Sequence, residues 1–280
     1  MRQWNTPVVL AALVCFWTAP FFSLALAGEK EASPLSPGGP GRDIGAPYAK
    51  AIPRQWGERL PGVVTRMPVP RQGPKVLFLT LDACGGRRGS GVDRGILELL
   101  REERIPAVIF VSSVWLRDNL ALAKELAADG LFELAAHGTR HLPASVSGRF
   151  AYGIKGCTSV RALVEEVAGN VSDLAGLSGR RPLWYRSGTA FYDEVAIEVI
   201  HSLGLRVAGY TVSLDEGGTL PAAKVAEKAL KAESGAILLC HLNRPGCATG
   251  RGLAVALPKL KAEGAIFLKL SDALPRGYPE

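Results

Sequence analysis

Apolar residues change rhythm near residue 75, and the chain reads differently on either side of it. Downstream, short solid apolar runs alternate with stretches where apolar residues recur every three or four positions. Residues 76–81 form a continuous run ending at the carboxylate of Asp82, the pattern of a buried parallel strand. Val92, Ile96, Leu99 and Leu100 then repeat at helical spacing. Further strands are predicted over 107–111, 132–136, 183–185, 205–212, 236–240 and 265–270. Helices are predicted over 116–128, 194–203, 222–231 and 253–262. Val160, Leu163, Val164, Val167, Val171 and Leu174 mark one more amphipathic helix, after a Gly- and Ser-rich excursion at 138–158. Seven strands interleaved with six helices predict a parallel α/β architecture. A closed barrel and an open doubly wound sheet both satisfy that alternation. Gly85-Gly86-Arg87-Arg88-Gly89 has neither the dinucleotide glycine spacing nor the Walker lysine.

Upstream, residues 1–27 read as a secretory signal: Arg2, an apolar stretch over 8–26, and Ala25-Leu26-Ala27 ahead of Gly28. The stretch approaches spanning length, which makes a membrane anchor the rival reading. Pro20 interrupts it and the small-residue exit favours removal, so the expected location is periplasmic or secreted. Residues 28–73 are rich in Pro, Gly and charge, and are expected to be a linker or strap ahead of a catalytic domain over 74–280. Within them, 63–70 suits a short strand or an edge contact. Loss of Arg2 takes the net charge from +7 to +6, compatible with anionic envelope polymers and equally with simple solubility. Cys84, Cys157, Cys240 and Cys247 remain after cleavage, and an oxidising compartment permits pairing. Cys240 and Cys247 are spaced to close a small loop, but the connectivity is not readable.

Asp82, His137, Arg186, Asp215 and His241 each stand at or just past the carboxyl end of a predicted strand. In parallel α/β folds that end gathers the active site. The remaining histidine, His201, lies in a predicted helix and reads as structural or solvated. His137-Gly138-Thr139-Arg140-His141 is an HxxxH pair; on a helical turn the two imidazoles face the same way and can share a metal ion. Each residue also has a plainer reading. Arg186 suits a surface ion pair, Asp215 a turn cap, Asp82 an acceptor of loop amides, and His241 a buried hydrogen-bonded histidine. Their equivalent positions argue for one site.

Taken in order, these segments resemble the NodB-like polysaccharide deacetylases, carbohydrate esterase family 4. Thr80-Leu81-Asp82-Ala83 is similar to the family's Thr-Phe-Asp-Asp, and His137 to His141 to its His-Ser/Thr-x-x-His, with Gly138 for the hydroxyl residue. Arg186-Ser187-Gly188-Thr189 stands where the family has Arg-x-Pro-Tyr, keeping only the Arg. Asp215-Glu216 occupies the place of Asp-Trp, and Leu239-Cys240-His241 matches Leu-x-His. The resemblance implies a deformed (β/α)7-type barrel of mostly parallel strands. It also implies a metal-dependent hydrolase that removes N-acetyl groups from a cell-envelope polysaccharide or oligosaccharide. Asp82 is then the general base, Arg186 its ion-pair partner, His241 the general acid and Asp215 the group holding the other ring nitrogen. Leu239 lines the acetyl pocket and the Thr189 N–H takes the oxyanion position. His137, His141 and an acidic residue hold a divalent metal, zinc first, with cobalt, nickel or manganese as alternates.

Ala83 departs from the family, whose second Asp completes a His-His-Asp metal triad. Three readings stay open: Asp82 itself as third ligand, a donor from elsewhere such as Cys84, or a lost site. Cys84 lies two positions from Asp82 and faces the same way if the strand continues. Retention of five polar groups that are costly to bury argues against simple decay. Two other functions fit the same scaffold, an inactive carbohydrate-binding protein and a hydrolase of a different acyl amide. The expected partner is an N-acetylated glycan, with no nucleic acid, no stable membrane insertion after cleavage, and a monomer as the working state. Trp184, Tyr185 and Phe191-Tyr192-Asp193 flank the Arg motif, and Asn243-Arg244-Pro245 and Thr249 follow His241. Sugar stacking and hydroxyl contacts suit them, as do core packing and loop capping.

Overall fold

The computed structural model describes residues 44–87 and 89–274, so the signal-peptide reading falls outside the described residues. In chain order the elements are β1 (Val63–Val64), β2 (Val76–Ala83), α1 (Arg94–Glu102), β3 (Ala107–Val111), α2 (Ser113–Asp118), α3 (Leu120–Ala128) and β4 (Phe132–Ala136). The hairpin β5 (Phe150–Ala151) and β6 (Ile154–Lys155) follows, then α4 (Val160–Ser178), β7 (Trp184–Tyr185), α5 (Glu194–Ser202), β8 (Arg206–Ala208) and β9 (Val212–Ser213). The last are α6 (Ala222–Leu230), β10 (Ile237–His241), α7 (Thr249–Ala262) and β11 (Ile266–Phe267). No described helix is long and apolar enough to cross a membrane.

β2 is buried along nearly its whole length, so its backbone groups need partners on both edges. It pairs in parallel with β3 and β10, placing Thr80 opposite Val108 and Leu239, and Asp82 opposite Phe110 and His241. The order β1-β8-β7-β4-β3-β2-β10-β9 curls into a deformed (β/α) barrel, as the resemblance implied. The strand predicted over 205–212 is broken because it serves two neighbours. Its first part, β8, lies between β1 and β7, and its second, β9, pairs with β10, so one segment serves two distant places in the order. Thr211 makes the joint, donating its N–H to Ile237 O (2.8 Å) and accepting the Ile237 N–H on its hydroxyl (2.9 Å). The helix predicted over 116–128 is also two pieces. Asn119 leaves helical geometry (φ −130°, ψ 31°) and donates its amide to Ser90 O and Trp115 O, an alternative its side chain offers the backbone.

Successive strand residues point to opposite faces, and that alternation sorts the barrel into two layers. Leu77, Leu79, Leu81 and Ala83 face the helices together with Ile109, Val111, Ala136, Leu238 and Cys240. Phe78, Val108, Phe110, Ala135, Trp184, Ala208 and Ile237 fill the interior, closed below by Met67 and Leu270. Two or four residues further along the same inward faces stand Thr80 and Asp82, His137, Arg186, Leu239 and His241. The interior is therefore apolar at its amino end and polar at its carboxyl end.

Residues 44–73 run along this body. Gly57 and Tyr192 exchange both backbone hydrogen bonds (3.0 Å each), and β1 pairs in parallel with β8. Arg54 and Gln55 donate their N–H groups to the Glu194 carboxylate, and the Met67 N–H reaches Gly235 O at 2.9 Å.

Candidate active site

Arg186, one position past β7, has no exposed surface. Its Nη1 donates to Asp82 Oδ1 (2.6 Å) and Thr80 Oγ1 (3.0 Å), its Nη2 to Gly209 O (2.8 Å), and its Cζ lies 4.1 Å from the Phe110 ring centre. Burial would push the Asp82 carboxyl up. The Arg186 guanidinium first, then His137 and His241, outweigh that and hold it below the ordinary carboxylate value. Asp82 is thus a buried carboxylate kept ionised and fixed in orientation.

His137 and His141 meet, but not on the helical turn that HxxxH spacing suggested. Residues 137–141 form an irregular loop with Gly138 at φ 86° and His141 at φ 63°, backbone that no helix contains. Two side chains of α4 hold the loop. Asn170 Oδ1 accepts the N–H groups of His137 (2.8 Å) and Gly138 (3.0 Å), while its Nδ2 donates to Val111 O and Ser113 Oγ. The buried Glu166 carboxylate accepts the N–H groups of Arg140 (2.9 Å) and Leu142 (3.1 Å) and pairs with the Arg140 guanidinium. A Cβ at position 138 would stand 2.5 Å from Glu166 Oε1, which leaves no room for the hydroxyl residue of the family motif.

The imidazoles lie edge to face with centres 4.7 Å apart. His137 Nδ1 is 2.9 Å from Arg186 O; a carbonyl only accepts, so Nδ1 carries a proton and Nε2 turns to the site. There it faces Asp82 Oδ2 at 3.7 Å and Cys84 Sγ at 3.8 Å. Burial would lower the His137 pKa, but Asp82 and then Cys84 raise it, so the pocket draws positive charge to that nitrogen. His141 Nε2 is buried without a hydrogen-bond partner.

Cys84 is the first residue beyond β2. Ser112 Oγ donates to its carbonyl (2.5 Å), and Gly85 turns the chain at φ 81° so closely against α2 that a Cβ there would lie 2.4 Å from Trp115 N. Burial would raise the Cys84 pKa, but the surrounding imidazoles, His141 first and then His137 and His241, bring the thiol well below its ordinary value. One donor atom from each of Cys84, His137 and His141 falls within 4.8 Å of the other two. Asp82, which the sequence also offered as a third ligand, stands outside that cluster and is engaged by Arg186.

His241 closes the other side. Its Nδ1 is 2.9 Å from Asp215 Oδ1, and its N–H donates to Asp215 Oδ2 (2.8 Å), which also accepts the Thr249 hydroxyl (3.0 Å). Burial would lower its pKa; the Asp215 hydrogen bond, followed by Cys84, raises it well above the ordinary histidine value. Leu239 is 5% exposed on the same inward face as His241. Thr189 lies in the loop after Arg186, and its N–H makes no hydrogen bond among the described residues.

Residues 70–208 match the sequence model of the polysaccharide deacetylases. The chain belongs to that family. A polysaccharide deacetylase fold is also what the solved structures show. A family 4 carbohydrate esterase of Bacillus subtilis, PdaA, superposes with a TM-score of 0.61 at 18% identity, covering 76% of this chain and 84% of its own. The Bc1960 peptidoglycan N-acetylglucosamine deacetylase gives 0.63 at 16%, covering 78% and 95%. A pseudoenzyme of the same family from Bacillus anthracis, BA3943, gives 0.59 at 18%, covering 72% and 66%. A curated relative, the uncharacterized protein YlxY of Bacillus subtilis, is 22% identical over 60% of this deacetylase-family chain. The chain spans about half the length of that relative, 49%.

Glu166 and Asn170 were missed at the sequence level, although a signal existed: both stand on the apolar stripe of α4 among Leu163, Val167, Val171 and Leu174. Thr80 and Thr249 were not assigned these bonds either. Among the flanking residues, Trp184 packs in the barrel interior, Tyr192 bonds Ser187 N and Ala208 O, and Asp193 caps α5, so all three are structural. Phe191 stands between Trp56 (5.6 Å) and Tyr152 (5.5 Å), an aromatic group on the loop that carries Arg186. Asn243 and Arg244 line an open cavity of about 430 Å³ with Arg87 and Ser90. The four described cysteines are free thiols, so Cys240 and Cys247 close no loop.

Proposed function

We propose that this chain is a metal-dependent hydrolase that removes N-acetyl groups from an N-acetylated glycan of the cell envelope, after export directed by residues 1–27. The observation that carries the reading is that Asp82 and His241 are register partners on adjacent strands, each with its own charged partner behind it. Base and acid thus flank one point at the carboxyl end of the barrel. The donor set there fits a divalent cation: two imidazole nitrogens face one space, one of them buried and unpartnered, beside anionic groups. His137 and His141 would hold the ion, zinc first, which when bound polarises an amide carbonyl and makes bound water acidic.

The chain's own residues do the rest. Asp82, kept ionised by Arg186, accepts the proton of the attacking water. The Thr189 N–H would donate to the developing oxyanion. His241, held protonated by Asp215, gives its Nε2 proton to the departing amine, while Asp215 fixes the tautomer through Nδ1. Leu239 offers an apolar wall to the acetyl methyl.

The test is acetate release from N-acetylated chito-oligosaccharides and peptidoglycan fragments by zinc-loaded protein. Asp82→Asn is expected to lower the rate by about 10²–10⁴-fold, the usual worth of a general base. A second reading, a glycan-binding protein without catalysis, is favoured by Ala83 and by the pseudoenzyme of the same fold. Glycan binding with no acetate release under any divalent ion would favour it.

A further inference from the structure

We propose that Cys84, as a thiolate, is the third protein donor of the metal centre, giving this chain a Cys–His–His site where the family motif supplies a carboxylate. The inference rests on the proposed metal dependence and goes beyond it in naming the donor and hence the class of metal. Three observations converge. Cys84 Sγ is 3.8 Å from His137 Nε2; donors about 2.3 Å (sulfur) and 2.0 Å (nitrogen) from one tetrahedral zinc lie roughly 3.5 Å apart. All three donor atoms fit within 4.8 Å, and His141 Nε2 is buried with nothing else to satisfy it.

The neighbouring positions fit the two imidazoles less well. Ala83 lies on the helix-facing side of β2 in the apolar layer and offers no ligand atom. Asp82 gives Oδ1 to Arg186 at 2.6 Å; its Oδ2 is 3.7 Å from His137 Nε2 but does not join the group of donors that all lie within 4.8 Å of one another, which Cys84 completes. Cys84, in contrast, is delivered to the site by its own backbone. Ser112 holds its carbonyl, and the glycine turn at 85 and 86 bends the chain away immediately behind it.

A thiolate and two imidazoles form a borderline-soft set that selects zinc or cobalt over magnesium, calcium or manganese. The same sulfur makes the centre sensitive to oxidants, since a sulfinic or sulfonic acid at Cys84 is no longer a thiolate ligand.

Cobalt substitution reads the donor directly. Metal-free protein titrated with cobalt(II) is expected to develop a sulfur-to-cobalt charge-transfer absorption in the near ultraviolet, saturating at one ion per chain. Cys84→Ser loses the band, Cys247→Ser keeps it, and His137→Ala loses bound cobalt. On the unaltered protein, zinc is expected to protect Cys84 from iodoacetamide in peptide mapping, which tests the idea without relying on a variant that folds. Stoichiometric cobalt without the band, or a band that survives Cys84→Ser, overturns the thiolate while leaving the metal-dependent reading standing. No bound metal in the unaltered protein sinks both.

Discussion

Asp215 spends both carboxylate oxygens on one neighbourhood: Oδ1 on the His241 ring, Oδ2 on the His241 N–H and the Thr249 hydroxyl. The consequence is a histidine whose proton is retained well above the ordinary titration range even though burial opposes the charge. A general acid with a raised pKa stays competent through neutrality and fails only as pH rises through that value. The rate of acetate release should therefore fall on the alkaline side, and Asp215→Asn should move this limb to lower pH, because the hydrogen bond to a charged acceptor is gone. Stability follows the same sign: the favourable term is present below the unfolded histidine pKa and is lost as pH rises through the folded one. A pH–rate profile of the two proteins checks this, and an unmoved alkaline limb would remove His241 from the acid role. Asp82, with its pKa lowered, is ionised over the same range and contributes no limb near neutrality.

One level up, α4 decides whether the histidine loop has a shape at all. Asn170 accepts two buried N–H groups, that of Gly138 and that of His137, which also reaches Val111 O at 3.3 Å, and it fastens its own amide to Val111 and Ser113. Asn170→Ala leaves the Gly138 N–H buried and unpaired, at about 1–3 kcal/mol, leaves the His137 N–H only its longer bond to Val111 O, and loosens the backbone that carries the His137 ring. Zinc affinity is expected to weaken by roughly 10–100-fold, as for other residues that orient a ligand. Competition with a chromophoric chelator measures it; unchanged affinity would make Asn170 a merely structural residue. Element types were legible in the sequence wherever burial is one-sided or complete, as in β2, β3 and the stripe of α4. Features set by a partner distant in the chain were not. The HxxxH loop takes its form from Glu166 and Asn170, the break at Asn119 from a side chain that prefers Ser90 O, and the split of 205–212 from two different strand neighbours. The choice between Asp82 and Cys84 as third donor depended likewise on which of them the fold brings within reach of both imidazoles.

At the scale of the molecule, the barrel has a floor and a mouth separated along β2 by the step from Phe78 to Asp82, roughly 13 Å for four rises of about 3.3 Å each. The floor is sealed by chain from outside the barrel strands: Met67, 3% exposed, and Leu270, wholly buried, pack against Phe78, Trp184 and Ile237. The family match begins at residue 70 and so excludes both β1 and Met67. Met67→Ala removes a core side chain at a site with little freedom to collapse, because its backbone is tied to Gly235. A loss of about 2–5 kcal/mol is expected, seen as a lower melting temperature or denaturant midpoint. Sites separated by more than roughly 7–10 Å act nearly independently, so zinc affinity and KM should stay at their unaltered values while stability falls. A protein trimmed to start at residue 70 should fare worse, since it also exposes the edge of β8 that β1 covers. If Met67→Ala instead disturbed zinc binding as strongly as Asn170→Ala, floor and mouth would be coupled through the stacked interior of Phe78, Thr80 and Asp82. The division of the barrel into a structural end and a chemical end would then have to be given up.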